Sequence, residues 1–122
     1  MDNYIPTDYQ GFIHKSRYAR WLDDEKRRES WSETVTRYVN NVVAHHVDAA
    51  TASEIEEAIL TLEVMPSMRS LMTAGPALER DNTAGYNCSY LAVDDPKAFD
   101  EAMFILLCGT GVGFSVERQF IS

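Results

Sequence analysis

Cysteine is scarce in this chain of 122 residues: there are two, Cys88 and Cys108. Two cysteines cannot build a disulfide scaffold, so reduced thiols in a cytoplasmic protein are expected. Bases are also scarce. Against 19 acidic residues stand 11 Lys and Arg, for a net charge of −8. That balance argues against nucleic-acid binding, which needs clustered bases against phosphates. It leaves nucleotide binding open, because backbone N–H groups and one or two placed side chains suffice for it. Long apolar runs are missing too. The longest, "AMFILLC" at 102–108, is far too short to cross a bilayer. The start, "MDNYIPTDYQGF", has neither the basic region nor the apolar run of a secretory signal. There is no internal repeat, no low-complexity tract, no C-x-x-C and no metal-ligand spacing.

What is present is an ordinary globular mixture, 45% hydrophobic and 25% charged. The length suits one modest domain with little stability to spare. Residues 1–11 read as an irregular lead-in broken by Pro6 and Gly11. The stretch 12–22 is open between an extended segment and a short helix. A helix is predicted over 30–47. Ser30 and Glu33 give it a capping box, and Trp31, Val35, Tyr38, Val39 and Val42 share one face. His45 and His46 near its end read as a solvated terminus. As helical neighbours they point about 100° apart, a poor metal pair. A second helix is predicted over 53–64, with capping boxes at Thr51/Glu54 and Ser53/Glu56. Ile55, Ala58, Ile59 and Leu62 form its apolar stripe, and Pro66 forbids continuation.

Beyond that, "SLMTAGP" (70–76) reads as a short strand or turn, and "ALERDNTAG" (77–85) as a polar loop. "YNCSYLAV" (86–93) reads as a strand covered at least partly on both faces. A helix over 97–108 follows, with Phe99, Met103, Leu106 and Leu107 as its stripe. "CGTGVGFSVE" (108–117) is a glycine-rich turn entering another strand. The expected class is α/β (α+β as a fragment). Residues 1–64 form an N-terminal helical region and 65–122 a β–α–β start of a larger assembly. Two strands alone make a marginal sheet, so the chain reads as the front of something longer.

The candidate chemistry is sparse when taken residue by residue. "GTGVG" (109–113) lies between helix and strand, the reverse of the order in dinucleotide and P-loop fingerprints. It is open between a structural turn and a loop whose bare backbone lies against a ligand. "MPSMRS" (65–70) places Ser67 and Arg69 where they could hold phosphate, or serve as a plain cap with a surface base. Cys108, at the end of an apolar helix, reads as an inert packing thiol. Cys88 has no nearby histidine to activate it, and its local sequence leaves packing and chemistry both open.

Four stretches, taken in order, resemble one family. "YARWLDDEKRRESWSETVTRYV" (18–39), "MPSMRSLMTAG" (65–75), "YNCSYLAV" (86–93) and "FDEAMFILLCGTGVGFSVER" (99–118) resemble adenosylcobalamin-dependent (class II) ribonucleotide reductases, nearest the monomeric triphosphate-reductase branch. The resemblance covers about residues 14–122. It implies a ten-stranded α/β barrel of which this chain carries the first β–α–β elements. It also implies an enzyme that replaces the ribose 2′-OH with hydrogen by thiyl-radical chemistry. Cys88 matches one of the reducing cysteine pair, Ser67 a substrate-phosphate contact and Asn87 a ribose-side contact. Thr110 and Gly111 match the glycine-loop backbone against the substrate, and Asp95 the region sensing a deoxynucleotide effector. No metal ligand is implied here. The radical cysteine, the second reducing cysteine and most of the adenosylcobalamin site are expected in a downstream remainder. An external dithiol such as thioredoxin would re-reduce the pair. The chain is thus expected to be an N-terminal fragment, inactive alone. Two alternatives stand: a class I large-subunit fragment, or a non-catalytic acidic helical interaction module.

Overall fold

The computed structural model describes residues 4–120. The outer ends of the two expected regions, 1–3 and 121–122, lie outside the described residues. The chain divides into two compact units, Met1–Gly75 and Pro76–Ser122.

The first unit is helical. Helix α1 (Asp8–Ile13) starts behind Thr7, whose hydroxyl oxygen accepts the Gln10 N–H at 3.3 Å. The irregular lead-in expected through residue 11 is thereby corrected from residue 8 onward, because this cap outweighs the cost of Gly11 within a helix. A π-helical turn, His14–Tyr18, follows. Then β1 (Trp21–Leu22) pairs antiparallel with β2 (Arg27–Arg28), with Lys26 at φ 53° closing the hairpin. The stretch left open at 12–22 is therefore both helical and extended.

Helix α2 (Trp31–Asn41) has the predicted capping box, with both bonds made. Glu33 N–H donates to Ser30 Oγ at 3.3 Å, and Ser30 N–H donates to Glu33 Oε2 at 2.7 Å. It buries Trp31, Thr34, Val35 and Val39. It ends before the expected residue 47, since Val42 leaves helical geometry and Val43–His45 form a 3₁₀ turn. His45 and His46 are exposed there.

Helix α3 (Ala49–Leu60) begins earlier than expected. Its cap is Asp48, whose Oδ1 accepts the Thr51 N–H at 2.8 Å. Thr51 and Ser53, the expected caps, lie inside the helix; an Asp in extended geometry caps better than a Thr already turning. The helix also ends four residues short of 64, well ahead of Pro66. Leu62 adopts φ 64°, its N–H donates to Ile59 O, and the Glu63 N–H donates to Ala58 O. This is a Schellman motif built on leucine rather than glycine. The freed Leu60 carbonyl accepts the Trp31 indole N–H at 3.2 Å.

The expected strand or turn at 70–76 is instead mostly helix: α4 (Met68–Thr73). Leu71 joins Trp31, Val35, Val39, Ala52 and Ile59 in the core. Gly75, at φ 103°, turns the chain out of the unit. Segment 65–75 therefore packs with the helices before it, and the first compact unit runs to Gly75.

In the second unit, the polar loop expected at 77–85 is ordered as α5 (Pro76–Arg80) and a 3₁₀ turn, Asn82–Gly85. The β–α–β expected beyond it is present. Strand β3 (Cys88–Ala92) pairs parallel with β4 (Gly111–Ser115), and α6 (Lys97–Leu107) is the crossover, packed on both strands. The expected burial is corrected. Phe99, Met103, Leu106 and Leu107 are all exposed, and Ala98 is the residue α6 buries. Two strands offer too little surface to cover a whole helical stripe. The same shortage leaves Cys88 and Tyr90 of β3 exposed, where cover on both faces was expected.

Candidate active-site element around Cys88

Cys88 opens β3 and stands in register with Gly111, the first residue of β4; Tyr90 then faces Gly113. Paired residues of a parallel ladder point to the same side, and alternate residues share a face. One face of the strand pair therefore carries Cys88 and Tyr90 beside two glycines. The other carries Ser89, Leu91, Val112 and Phe114. Ser89 Oγ donates to the Gly111 carbonyl at 3.0 Å, across the ladder.

Thr110 fixes the mouth of this pair. It is 1% exposed, and its hydroxyl lies 2.7 Å from the Thr83 carbonyl and 3.0 Å from that of Tyr86. The Gly111 N–H donates to the Asn87 carbonyl at 2.9 Å. The segment before β3 is thus held to the start of β4 by three backbone carbonyls. The Cys88 thiol is exposed; Cys108, expected as a buried packing residue, is half-buried at the end of α6. Asp95 is exposed, and its Oδ1 accepts the Lys97 N–H at 2.8 Å, just ahead of α6. Asn87 is exposed in the same unit. Ser67 belongs to the first unit, where it precedes α4 with no side-chain capping bond. So Asn87, Cys88, Thr110 and Gly111 meet at the start of the strand pair, whereas Asp95 follows the other end of β3, in the same unit but not beside them.

Sequence reasoning missed a buried polar chain inside the first unit. Glu29 is 4% exposed. Its Oε1 accepts Arg37 Nε at 2.7 Å, and its Oε2 accepts Arg37 Nη2 at 2.9 Å, a bidentate pair. Oε2 also accepts the Arg20 N–H and the Thr34 hydroxyl, both at 3.0 Å. Burial pushes the Glu29 carboxyl up, yet the Arg37, Arg20 and Thr34 bonds outweigh it and hold it below the usual range. Since Thr34 donates its one proton to that carboxylate, His14 Nε2, 2.9 Å from Thr34 Oγ1, must be the donor. The His14 ring meets Trp31 edge-on at 5.4 Å. Beyond Glu29, Arg37 Nη1 donates to the carbonyls of Leu71 at 2.9 Å and Ala74 at 2.8 Å. Those bonds hold the end of α4. The signal was the Glu-x-Trp-x-Glu-Thr-Val-x-Arg spacing itself, in which Glu29, Thr34 and Arg37 are network members.

A family model described as the ribonucleotide reductase alpha domain matches residues 3–76. The chain belongs to this family. The match ends one residue past the first unit, and its span contains the whole Glu29 network. Relatives of this chain extend the likeness. The adenosylcobalamin-dependent ribonucleoside-triphosphate reductase of Lactobacillus gasseri is 26% identical over 143 aligned residues, covering 89% of this chain and 19% of that protein. The protein of the same description from Levilactobacillus brevis is 29% identical, covering 84% and 18%. A crystal structure of a B12-dependent (class II) ribonucleotide reductase superposes with a TM-score of 0.76 at 25% identity, over 89% of this chain and 20% of that one. A match of that extent takes in residue 88 wherever it begins. The chain thus spans about one fifth of the length of the curated relatives it matches. The mixed architecture of helices and small sheets is similar to the matched fifth of the class II structure. Among the described residues, no helix is long and apolar enough to cross a membrane.

Proposed function

We propose that this chain is the N-terminal part of a cytoplasmic, adenosylcobalamin-dependent ribonucleotide reductase, and that Cys88 is one of its two reducing cysteines. The observation that carries the reading is the placement of Cys88. It is the exposed first residue of a parallel strand pair, in a chain whose relatives are adenosylcobalamin-dependent ribonucleoside-triphosphate reductases. Segment 86–115 then forms the first strands of a barrel completed by sequence beyond this chain.

In that reaction two thiols give up two electrons and two protons. The ribonucleotide loses its 2′-oxygen as water, and the thiols finish as a disulfide. A cysteine at the mouth of a strand suits this role, since the backbone fixes its position relative to a bound sugar. An external dithiol of the thioredoxin kind resets the pair by exchange. Ser67 is assigned to the substrate phosphate, Asn87 to the ribose, Thr110 and Gly111 to the backbone wall beside it, and Asp95 to the effector region.

Adenosylcobalamin supplies the radical when bound. Its cobalt is carried by the corrin ring rather than by a cluster of side chains, and most of its site is assigned to the downstream part, so no residue of this chain is given a role toward it. The class I reading loses support, since the relatives found are adenosylcobalamin-dependent. The helical interaction module is not favoured either, given β3, β4 and the family match.

The test combines this chain with the downstream part of a class II reductase, adenosylcobalamin and a dithiol, and measures deoxynucleotide formed. Turnover is expected with the native chain, and its loss with Cys88→Ser. Full turnover by Cys88→Ser would sink the reading.

A further inference from the structure

The fold itself does not require glycine at position 111. Its φ is not in the left-handed region, where only Gly75 and Gly109 lie among the glycines. A Cβ built there meets the Asn87 carbonyl oxygen at 3.4 Å and Cys88 Sγ at 3.9 Å, ordinary contact distances. Glycine weakens a strand interior, and a β-branched residue would strengthen it. A two-stranded pair has little stability to give away. Of the two neighbours such a side chain would acquire, the Asn87 oxygen is backbone already bonded to the Gly111 N–H, and the Cys88 thiol is the side chain. Thr110 makes that neighbourhood permanent. Its buried hydroxyl ties residues 83 and 86 to the start of β4, so Cys88 and Gly111 stay abreast.

We propose that Gly111 is an access-determining position for Cys88: its missing side chain leaves open the flank of Sγ along which a second sulfur approaches. The ligand class is a thiol or disulfide sulfur, and the step is thiol–disulfide exchange. The Cys88 thiolate attacks one sulfur of a disulfide, a new S–S bond forms, and the other sulfur leaves as thiolate. Attack needs the whole disulfide aligned against the thiolate, so a group on that flank slows a bulky disulfide more than a small alkylating agent. The inference rests on Cys88 being the redox cysteine proposed above, but its test does not depend on turnover.

The test uses the full chain carrying Cys108→Ser, so that Cys88 is the sole thiol. Rates of reaction with the aromatic disulfide 5,5′-dithiobis(2-nitrobenzoate) and with iodoacetamide are measured for Gly111, Gly111→Ala and Gly111→Val. Gly113→Val serves as control: a Cβ there meets the Ser89 carbonyl oxygen at 3.6 Å, with no contact to Sγ. Gly111→Val is expected to slow the disulfide reagent about tenfold in the folded chain, Gly111→Ala less, and iodoacetamide least. The rates should converge in denaturing urea, and the melting temperature should hold or rise. Native-rate reaction of a folded Gly111→Val chain would overturn the proposal, as would equal slowing by Gly113→Val. If Gly111→Val does not fold, Gly111→Ala decides by the same comparison. Slowing by Gly111→Val beside full turnover by Cys88→Ser would keep the access role and discard the redox assignment.

Discussion

Arg37 and Glu29 meet inside the first unit with side chains 15% and 5% exposed. A charge pair so enclosed is costly to break, because removing one partner leaves the other uncompensated. Glu29→Gln is expected to destabilise the chain by about 3–5 kcal/mol, read from urea unfolding. The loss should spread to α4, since Arg37 also holds the Leu71 and Ala74 carbonyls. None of this was readable residue by residue. Glu29 and Arg37 look like two more charges in an acidic chain, and only the tertiary fold brings them to the same buried point. Cys88 poses the opposite case. Its strand was legible from its apolar and aromatic neighbours, yet local pattern left its role open. The order of motifs around it pointed to chemistry, and the structure adds the bare flank at Gly111.

Among the elements, the start of α2 was the most legible, because a capping box is a local device with a four-residue signature. What the spacing did not reveal is that the same Glu33 reaches outward. Its carboxylate accepts both Arg27 Nη1 and Nη2 at 2.7 Å, tying β2 to the helix start. The Arg27 guanidinium, followed by the Ser30 N–H, holds the Glu33 carboxyl down at about 2. A carboxyl lowered on folding stabilises fully above its ordinary range and loses that contribution as pH falls through the folded value. Glu33 should therefore give up its contribution between its ordinary 4.5 and about 2. The urea midpoint is expected to fall across that window more steeply in the native chain than in Glu33→Gln. Equal slopes would contradict this account. Helix α3 was legible as a helix but not at its ends. Three capping candidates crowd 48–53, and a leucine takes the left-handed position usually given to glycine. Helix α4 was missed because its six residues carry little helical pattern and depend on Arg37 for their final carbonyls.

Across the whole chain, apolar residues fall into two populations. Leu71 is fully enclosed in the first unit, whereas Leu107, of equal size, is 79% exposed in the second. Leu71→Ala should cost about 2–5 kcal/mol, and Leu107→Ser should stay within about 0.5 kcal/mol of the native chain. Comparable losses from both would mean that α6 is covered after all. In the reading proposed above, the bare stripe of α6 awaits the remaining barrel. That is why the sequence showed a normal amphipathic helix while the structure shows it uncovered.

The two tryptophans divide along a similar line. Trp31 is 3% exposed, with its indole N–H tied to Leu60 and a histidine edge against its ring. Trp21, on the hairpin, is 52% exposed. The first unit thus carries its own pair of fluorophores. A dissolved quencher such as acrylamide reaches Trp21 while the chain is folded, and Trp31 stays dark to it until the helices part. Light emission alone can therefore follow the opening of the core that holds α4 in place.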